Sequence, residues 1–306
     1  MGVDNINEYY DVNLKYSRLS LINNHPNFIF HKCDISDIEQ MEEIFIKYKI
    51  DYVINLAAQA GVRYSIDNPD AYIQSNVIGF YNILELLRRY PVRHLIYASS
   101  SSVYGANTKV PFEETDFVDH PVSLYAATKK TNELMAYTYS HLYDISATGL
   151  RFFTVYGPMG RPDMAYFSFT DKFFKGETIN IYNNGDFDND MYRDFTYIDD
   201  IVEGIIKLID VDFKEKPRHR VVNIGNNKPE KLMVFIKALE NALSKHLNRK
   251  VELNKTYEPI KSGDVKATYA STKLLEELVG FKPNTSINEG LDKFIEWYIS
   301  YFKIKI

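Results

Sequence analysis

A tyrosine and a lysine four residues apart, in Tyr125-Ala126-Ala127-Thr128-Lys129, are the side chains of this sequence best suited to chemistry. On a helix the two share a face and can interact. A free tyrosine has a pKa near ~10 and is a poor base at neutral pH. A fixed ammonium beside it favours the phenolate, so Lys129 is expected to lower that value. Just upstream, the run Ala98-Ser99-Ser100-Ser101-Ser102-Val103-Tyr104-Gly105 puts hydroxyls at the end of an apolar strand, where one can hold a substrate oxygen. Together these groups could take a proton from an alcohol while a hydride leaves its carbon. Among the 24 tyrosines the spacing recurs at Tyr257 to Lys261 and Tyr269 to Lys273. The first encloses Pro259, which does not suit a helix interior. The second has no hydroxyl-ended strand before it.

Short apolar runs alternating with longer helical patterns must position these groups. Strands are expected at 28–33, 52–56, 94–99, 147–152 and 221–224, with helices at 37–48, 69–90, 124–143 and 198–208. The first helix opens on Ser36-Asp37-Ile38-Glu39, a capping-box pattern. Asp199 and Asp200 fall in the first turn of the last, where their charge suits the helix dipole. Such alternation predicts βαβ units and a parallel sheet. The pattern becomes irregular through Gly157-Pro158-Met159-Gly160-Arg161-Pro162, and helices at 231–247, 272–279 and 287–301 then mix with short strands. This second region reads as a smaller, substrate-facing domain, with 197–224 returning to the first.

The 306 residues suffice for one large α/β unit or two domains. Hydrophobic residues at 45% and charged residues at 25% are ordinary for a globular protein. A net charge of −5 without a basic block argues against nucleic-acid binding. Cys33, the single cysteine, excludes an intramolecular disulfide and fits a reducing compartment. Neither a membrane-spanning apolar run nor a signal-peptide pattern is present, so a soluble cytoplasmic protein is expected. No metal site is expected.

Several motifs in one order carry a family likeness. They are Asp4-Asn5-Ile6-Asn7-Glu8-Tyr9-Tyr10-Asp11, Asn55-Leu56-Ala57-Ala58-Gln59-Ala60-Gly61-Val62-Arg63-Tyr64-Ser65, and the hydroxyl run with Tyr125 and Lys129. Further on come Arg151-Phe152-Phe153-Thr154-Val155-Tyr156-Gly157-Pro158, Gly160-Arg161-Pro162-Asp163-Met164-Ala165 and Arg193-Asp194-Phe195-Thr196-Tyr197-Ile198-Asp199-Asp200. Through nearly its whole length the chain resembles the extended short-chain dehydrogenase/reductase superfamily, and within it the nucleotide-sugar epimerases of the UDP-glucuronate 4-epimerase type. The resemblance implies a Rossmann-type doubly wound parallel sheet in residues 1–153, with 197–224 returning to it. Residues 154–306 would mainly form a smaller C-terminal α/β substrate domain. NAD as cofactor, a UDP-sugar substrate and a homodimer are implied as well.

On the cofactor side, Asp4 would end the second strand, where a carboxylate binds the adenosine ribose hydroxyls and repels a 2′-phosphate, favouring NAD. Asp34 and Ile35 resemble the pair that meets adenine. Leu56, Ala57 and Ala58 would let the backbone approach the cofactor, and Lys129 would also bond the nicotinamide ribose. Asn76 resembles a structural support beneath the site. On the sugar side, Ser100 resembles the catalytic Ser/Thr that bonds O4 as charge develops. Sugar 4,6-dehydratases and decarboxylating relatives carry acidic residues after that position. Here Ser101 and Ser102 follow, which disfavours both reactions. A 4-keto uronate is a β-keto acid prone to losing CO₂, so an epimerase must hold its carboxylate. Ser101, Ser102, Thr154 and Arg161 resemble that clamp. Arg193 resembles the arginine that meets the diphosphate, and Asp264 a ribose contact.

Two departures stand out. Phe187-Asp188-Asn189-Asp190 resembles an insertion that adds negative charge near the expected diphosphate. The family also opens with a strand, a Gly-x-x-Gly-x-x-Gly turn and a helix, whereas here Met1-Gly2-Val3-Asp4 aligns with the end of the second strand. With the first strand missing, a gap between the strands ending near Asp4 and Leu56 is expected, and weak NAD binding with it. The reading is NAD-dependent 4-epimerisation of UDP-glucuronate and UDP-galacturonate through a 4-keto sugar. A UDP-glucose/UDP-galactose 4-epimerase, or a non-catalytic remnant that binds nucleotide sugar, are its alternatives.

Overall fold

The computed structural model of the chain describes residues 1–188, 190–259 and 267–305. Four parallel strands form its central ladder: β3 (Tyr52–Asn55), β4 (His94–Ser100), β5 (Ala147–Phe152) and β9 (His219–Ile224), in the order β3-β4-β5-β9. Along β4 the side chains alternate between two cores. Leu95 and Tyr97 pack on one face with α2 (Ile38–Lys47), α5 (Gly79–Arg89) and α6 (Leu124–Tyr143). Ile96 enters the other, with α8 (Ile198–Leu208) and α10 (Lys273–Val279). Burial on both faces is what a parallel sheet requires, and it explains the near-continuous apolar runs.

β1 (Gly2–Asp4) and β2 (Phe30–Lys32) form a separate parallel pair, bridged by α1 (Val12–Ser20). No ladder joins β1 to β3 among the described residues. A cavity of about 780 Å³ lies between them, walled by Met1–Asn5 on one side and 51–60 on the other. The expected interval between the strands ending near Asp4 and Leu56 is thus a feature of the sheet. Ile54 and Leu56 are 43% and 51% exposed along it, unusual for a parallel strand.

The helical stretch expected at 69–90 is not uniform. It runs as α4 (Pro69–Tyr72), a wide π turn (Ile73–Ile78) and α5, after a short α3 (Tyr64–Asp67). The π turn carries the buried Asn76, whose Oδ1 accepts from the Gln59 amide at 2.8 Å. Its Nδ2 donates to the Gln59 carbonyl and to Thr128 Oγ1 at 3.0 Å, and its carbonyl accepts from Asn132 at 2.6 Å. A helical turn widened in this way leaves a carbonyl available for a side chain. Asn76 thereby ties the loop after β3 to α6. The capping box expected from Ser36 is replaced by a cap one residue later. Asp37 accepts from the Gln40 amide at 3.0 Å, and Ser36 is drawn away by Asp34, to which its hydroxyl donates at 2.8 Å.

The remaining elements gather around an aromatic core holding Tyr156, Tyr166, Phe195, Phe235 and Phe294. β8 (Tyr192–Tyr197) pairs with β6 (Thr154–Tyr156), β10 (Pro229–Lys231) and β12 (Ala267–Thr268). β7 (Ile179–Ile181) pairs with β11 (Lys255–Tyr257). α7 (Ala165–Phe174), α9 (Leu232–His246) and α11 (Ile287–Tyr301) complete the layer. No described helix is long and apolar enough to cross a membrane.

Candidate active site

α6 starts where Ser123 accepts from the Ala126 amide at 3.1 Å, and ends at Asp144 with φ of 59°. Tyr125 stands in its first turn, Lys129 one turn on. β4 runs directly into a 3₁₀ turn, Ser101–Tyr104, whose N-cap is Ser100. Ser100 Oγ accepts from the Ser102 amide and donates to Ser102 Oγ, both at 3.1 Å. The Tyr125 phenol faces Ser100, whose hydroxyl favours the phenolate. Tyrosine, serine run and lysine therefore meet where the C-terminal end of β4 faces the start of α6.

The electrostatics differ from the expectation in one respect. Burial pushes the Tyr125 phenol above its ordinary pKa, and the Ser100 hydroxyl and the Arg161 charge offset only part of that. Lys129 does not supply the lowering. Its Nζ donates to the Ala98 carbonyl at 2.9 Å, and burial brings its own pKa down to about 8. The ammonium is turned to a strand carbonyl and takes no part in the shift of the phenol. The cation acting on Tyr125 is Arg161.

Arg161 lies in the loop before α7. Its Nε and Nη2 grip Asp163 Oδ1 and Oδ2 at 2.9 and 3.0 Å, a bidentate pair. Tyr9 donates to Asp163 Oδ2 at 3.4 Å, and ring contacts lead from Tyr9 through Tyr64 and Tyr72 to Tyr125. Arg161 also lines the cavity between the sheets, which links that cavity to the Tyr125 region.

Asp4, Asp34, Ile35, Leu56, Ala57 and Ala58 all line the same cavity. Asp4 accepts from the Ile6 amide through Oδ1 at 2.6 Å, and its Oδ2 makes no hydrogen bond among the described residues. Asp34 is fully engaged, accepting from the Ser36 amide and hydroxyl and from Asn5 Nδ2 at 2.7 Å. Burial pushes its carboxyl up, but these bonds outweigh it and hold the group below the ordinary value. Asn5 thus joins the two acidic positions, a link the sequence reading missed. Thr154 opens β6, paired with Phe195 of β8. Arg193 lies on β8, donating to the Tyr192 carbonyl at 2.8 Å and resting on Met191 Sδ. Asp264 and Asn189 lie outside the described residues, where Lys261 also falls. Asp190 is buried, accepting from Asn183, Met191 and Met233, so that end of the 187–190 segment serves the C-terminal core. Among the described residues no His, Cys, Asp and Glu cluster could hold a metal ion.

Asp163, Glu133 and Arg151 are the further side chains of consequence. Asp163 sat within a motif already singled out, and Glu133 follows Lys129 by one more helical turn, so the spacing held a signal for it. Nothing in the spacing ties Arg151 to α6.

Residues 6–225 match the family described as "NAD dependent epimerase/dehydratase family". "Protein CapI" of Staphylococcus aureus is 50% identical, over 99% of this chain and 92% of its own length. "UDP-glucuronate 4-epimerase 4" of Arabidopsis thaliana is 46% identical, over 99% and 70%. Among solved structures, UDP-glucuronic acid 4-epimerase from Bacillus cereus, in complex with UDP-glucuronic acid and NAD, superposes with a TM-score of 0.85 at 27% identity. It covers 98% of this chain and 90% of that one.

Proposed function

The chain belongs to the NAD dependent epimerase/dehydratase family, and we propose that within it the protein interconverts UDP-glucuronate and UDP-galacturonate. It is an NAD-dependent nucleotide-sugar epimerase acting on a UDP-sugar at C4. The side chains around the cavity suit a dinucleotide. Asp4 keeps one carboxylate oxygen uncommitted for ribose hydroxyls, and Leu56, Ala57 and Ala58 present a small apolar wall. At the far end Lys129 would hold the nicotinamide ribose. NAD, when bound, supplies the acceptor and then the donor of the hydride.

The observation that carries the uronate reading is the placement of Arg161, whose charge acts on Tyr125 from the loop before α7. A guanidinium that lines the cavity and whose charge reaches the proton-transfer residue suits a sugar with a carboxylate at C6. Ser101 and Ser102 follow Ser100 where a dehydratase would need acids. In this reading Ser100 holds O4 and Tyr125 accepts its proton as the C4–H bond breaks, leaving a 4-keto sugar. The sugar turns over while Ser101, Ser102, Thr154 and Arg161 hold its carboxylate out of line with the ketone. Hydride then returns to the other face of C4, and Tyr125 returns the proton to O4. Arg193 and Asp264 would receive the nucleotide diphosphate and ribose. Residues 1–153 with 197–224 would serve the cofactor, and the remainder the sugar nucleotide.

The test is conversion of UDP-glucuronate to UDP-galacturonate beside conversion of UDP-glucose to UDP-galactose. The expected result is efficient turnover of the uronate alone, and a roughly 10²- to 10⁴-fold fall with Tyr125→Phe. Preferential turnover of UDP-glucose would replace this reading with the neutral-sugar one.

A second copy of the chain suits the outer face of α5 and α6, where Tyr81, Leu134, Tyr137 and Leu142 are exposed. Leu134→Glu should convert a sedimenting dimer to a monomer; a wild-type monomer would overturn this. Buried, unpaired Cys33 supports action in the reducing cytoplasm.

A further inference from the structure

Tyr125 and Lys129 are the first two members of a longer stripe, for Glu133 stands one further turn along α6. Each member latches to the end of β4. Tyr125 meets Ser100, Lys129 Nζ donates to the Ala98 carbonyl at 2.9 Å, and Glu133 Oε1 accepts from Ser99 Oγ at 2.6 Å. Three consecutive β4 residues thus lie against three consecutive turns of one helix, two of them held by hydrogen bonds.

Glu133 is in turn gripped from the neighbouring strand. Arg151 Nε donates to Oε1 and Nη2 to Oε2, both at 2.8 Å. Ser99 and Arg151 are direct partners in the β4–β5 ladder, so one carboxylate closes a ring over two strands and a helix. Arg151 also carries Tyr104 over its guanidinium, 4.8 Å from the ring centroid. Tyr104 ends the 3₁₀ turn that bears Ser101 and Ser102, and its hydroxyl donates to Asn223 at 2.7 Å. Glu133 and Arg151 are 4% and 2% exposed.

A buried ion pair with these bonds is no strong source of stability, since apolar side chains of like volume often serve as well. What apolar packing does not provide is direction. From this geometry we infer that Glu133 and Arg151 are positioning residues for the reaction. The pair sets the register of α6 against β4, and so the approach of Tyr125 to Ser100, while Arg151 seats the hydroxyl turn. The inference rests on Tyr125 and Ser100 being the reacting pair.

The test separates register from stability. Replacing the pair together, Glu133→Leu with Arg151→Met, leaves no buried charge unpaired. The double variant should remain folded despite losing the acceptor of the buried Ser99 hydroxyl, and bind UDP-glucuronate with unchanged affinity. Its kcat should fall roughly 10- to 100-fold with little change in KM, because small misplacements of reacting groups are that costly. Ser99→Ala, which removes one latch and leaves the ion pair, should lower kcat about 3- to 10-fold, also without a KM change. It decides the matter should the double variant not fold. Wild-type kcat in the folded double variant, or in Ser99→Ala, overturns the inference. Tyr125→Phe is assayed beside them. If it too turns over normally, the assignment of the reacting pair has failed; if it alone is inactive, only the positioning role has.

Discussion

At the scale of single residues, the structure brings the motif's side chains to one place and gives them electrostatics that the spacing did not announce. Burial lowers Lys129 to about 8, so folding favours its neutral form. Below about pH 8 the lysine is protonated in both folded and unfolded chains. Between about pH 8 and its unfolded value near ~10.4, the unfolded chain binds more protons, so this residue makes stability rise with pH. Urea midpoints of wild type relative to Lys129→Met, without ligand, should therefore climb across that window. A flat difference would mean that Lys129 is not desolvated. Arg161 and Asp163 permit a second prediction. The pair is half-exposed and joins near neighbours, the kind of contact worth about 0–1 kcal/mol. A substrate carboxylate can displace so weak a partner. Asp163→Asn should leave UDP-glucuronate binding equal or up to about 5-fold tighter, whereas Arg161→Ala should weaken it at least about 10-fold and spare UDP-glucose. Calorimetric titration of both sugars checks this, and equal losses on the two sugars with Arg161→Ala would make Arg161 structural.

At the scale of elements, legibility followed length and capping. α6, β5, α8 and α11 run over the residues their patterns announce, because the helices are long and periodic and β5 is buried on both faces. α1 escaped notice because Leu14 is its only buried residue, so no apolar stripe marks it. β6, β7, β10 and β11 have three residues each, too few to display a period of two. The π turn was illegible for another reason, since its cause is the tertiary demand of Gln59, Thr128 and Asn132 on Asn76. Of the candidate site, the groups carried by α6 and the end of β4 could be read from spacing. The partners of Arg161 and Glu133 could not, since Asp163 and Arg151 are defined by loop and strand geometry. The open interval beside β3 makes a measurable claim. β4 and β5 have ladders on both sides, while β1 and β3 are each paired on one. Without ligand, amides of 2–4 and 52–55 should exchange much faster than those of 95–99 and 147–151. Equal protection would mean that both edges are covered in solution.

For the whole molecule, that cavity is where local features become a joint property. Among the described residues the β1–β2 pair and the four-stranded sheet share no ladder, yet both line the cavity of about 780 Å³. Asp4 stands on one wall, Leu56 to Ala58 on the other, and Arg161 connects the cavity to Tyr125. A dinucleotide seated there would touch both sheets, linking two parts of the fold that the backbone leaves separate. Ligand that binds only the folded chain stabilises it by RT ln(1 + [L]/Kd), about 2.7 kcal/mol at a hundredfold excess over Kd. For a chain this large that corresponds to a rise of roughly 4 °C in the unfolding midpoint. UDP-glucuronate would also raise the midpoint, but through the loop of Arg161 and the layer around β8. The two ligands should therefore differ in where exchange slows. NAD should protect 2–4 and 52–58, and the UDP-sugar should protect 154–165 and 191–197 while leaving 2–4 largely unchanged. Asp4→Ala should reduce the NAD shift and not the UDP-glucuronate shift. Stabilisation by NAD without slowed exchange at 2–4 and 52–58 would place the cofactor outside the interval between the sheets, and Asp4 would lose its assigned role.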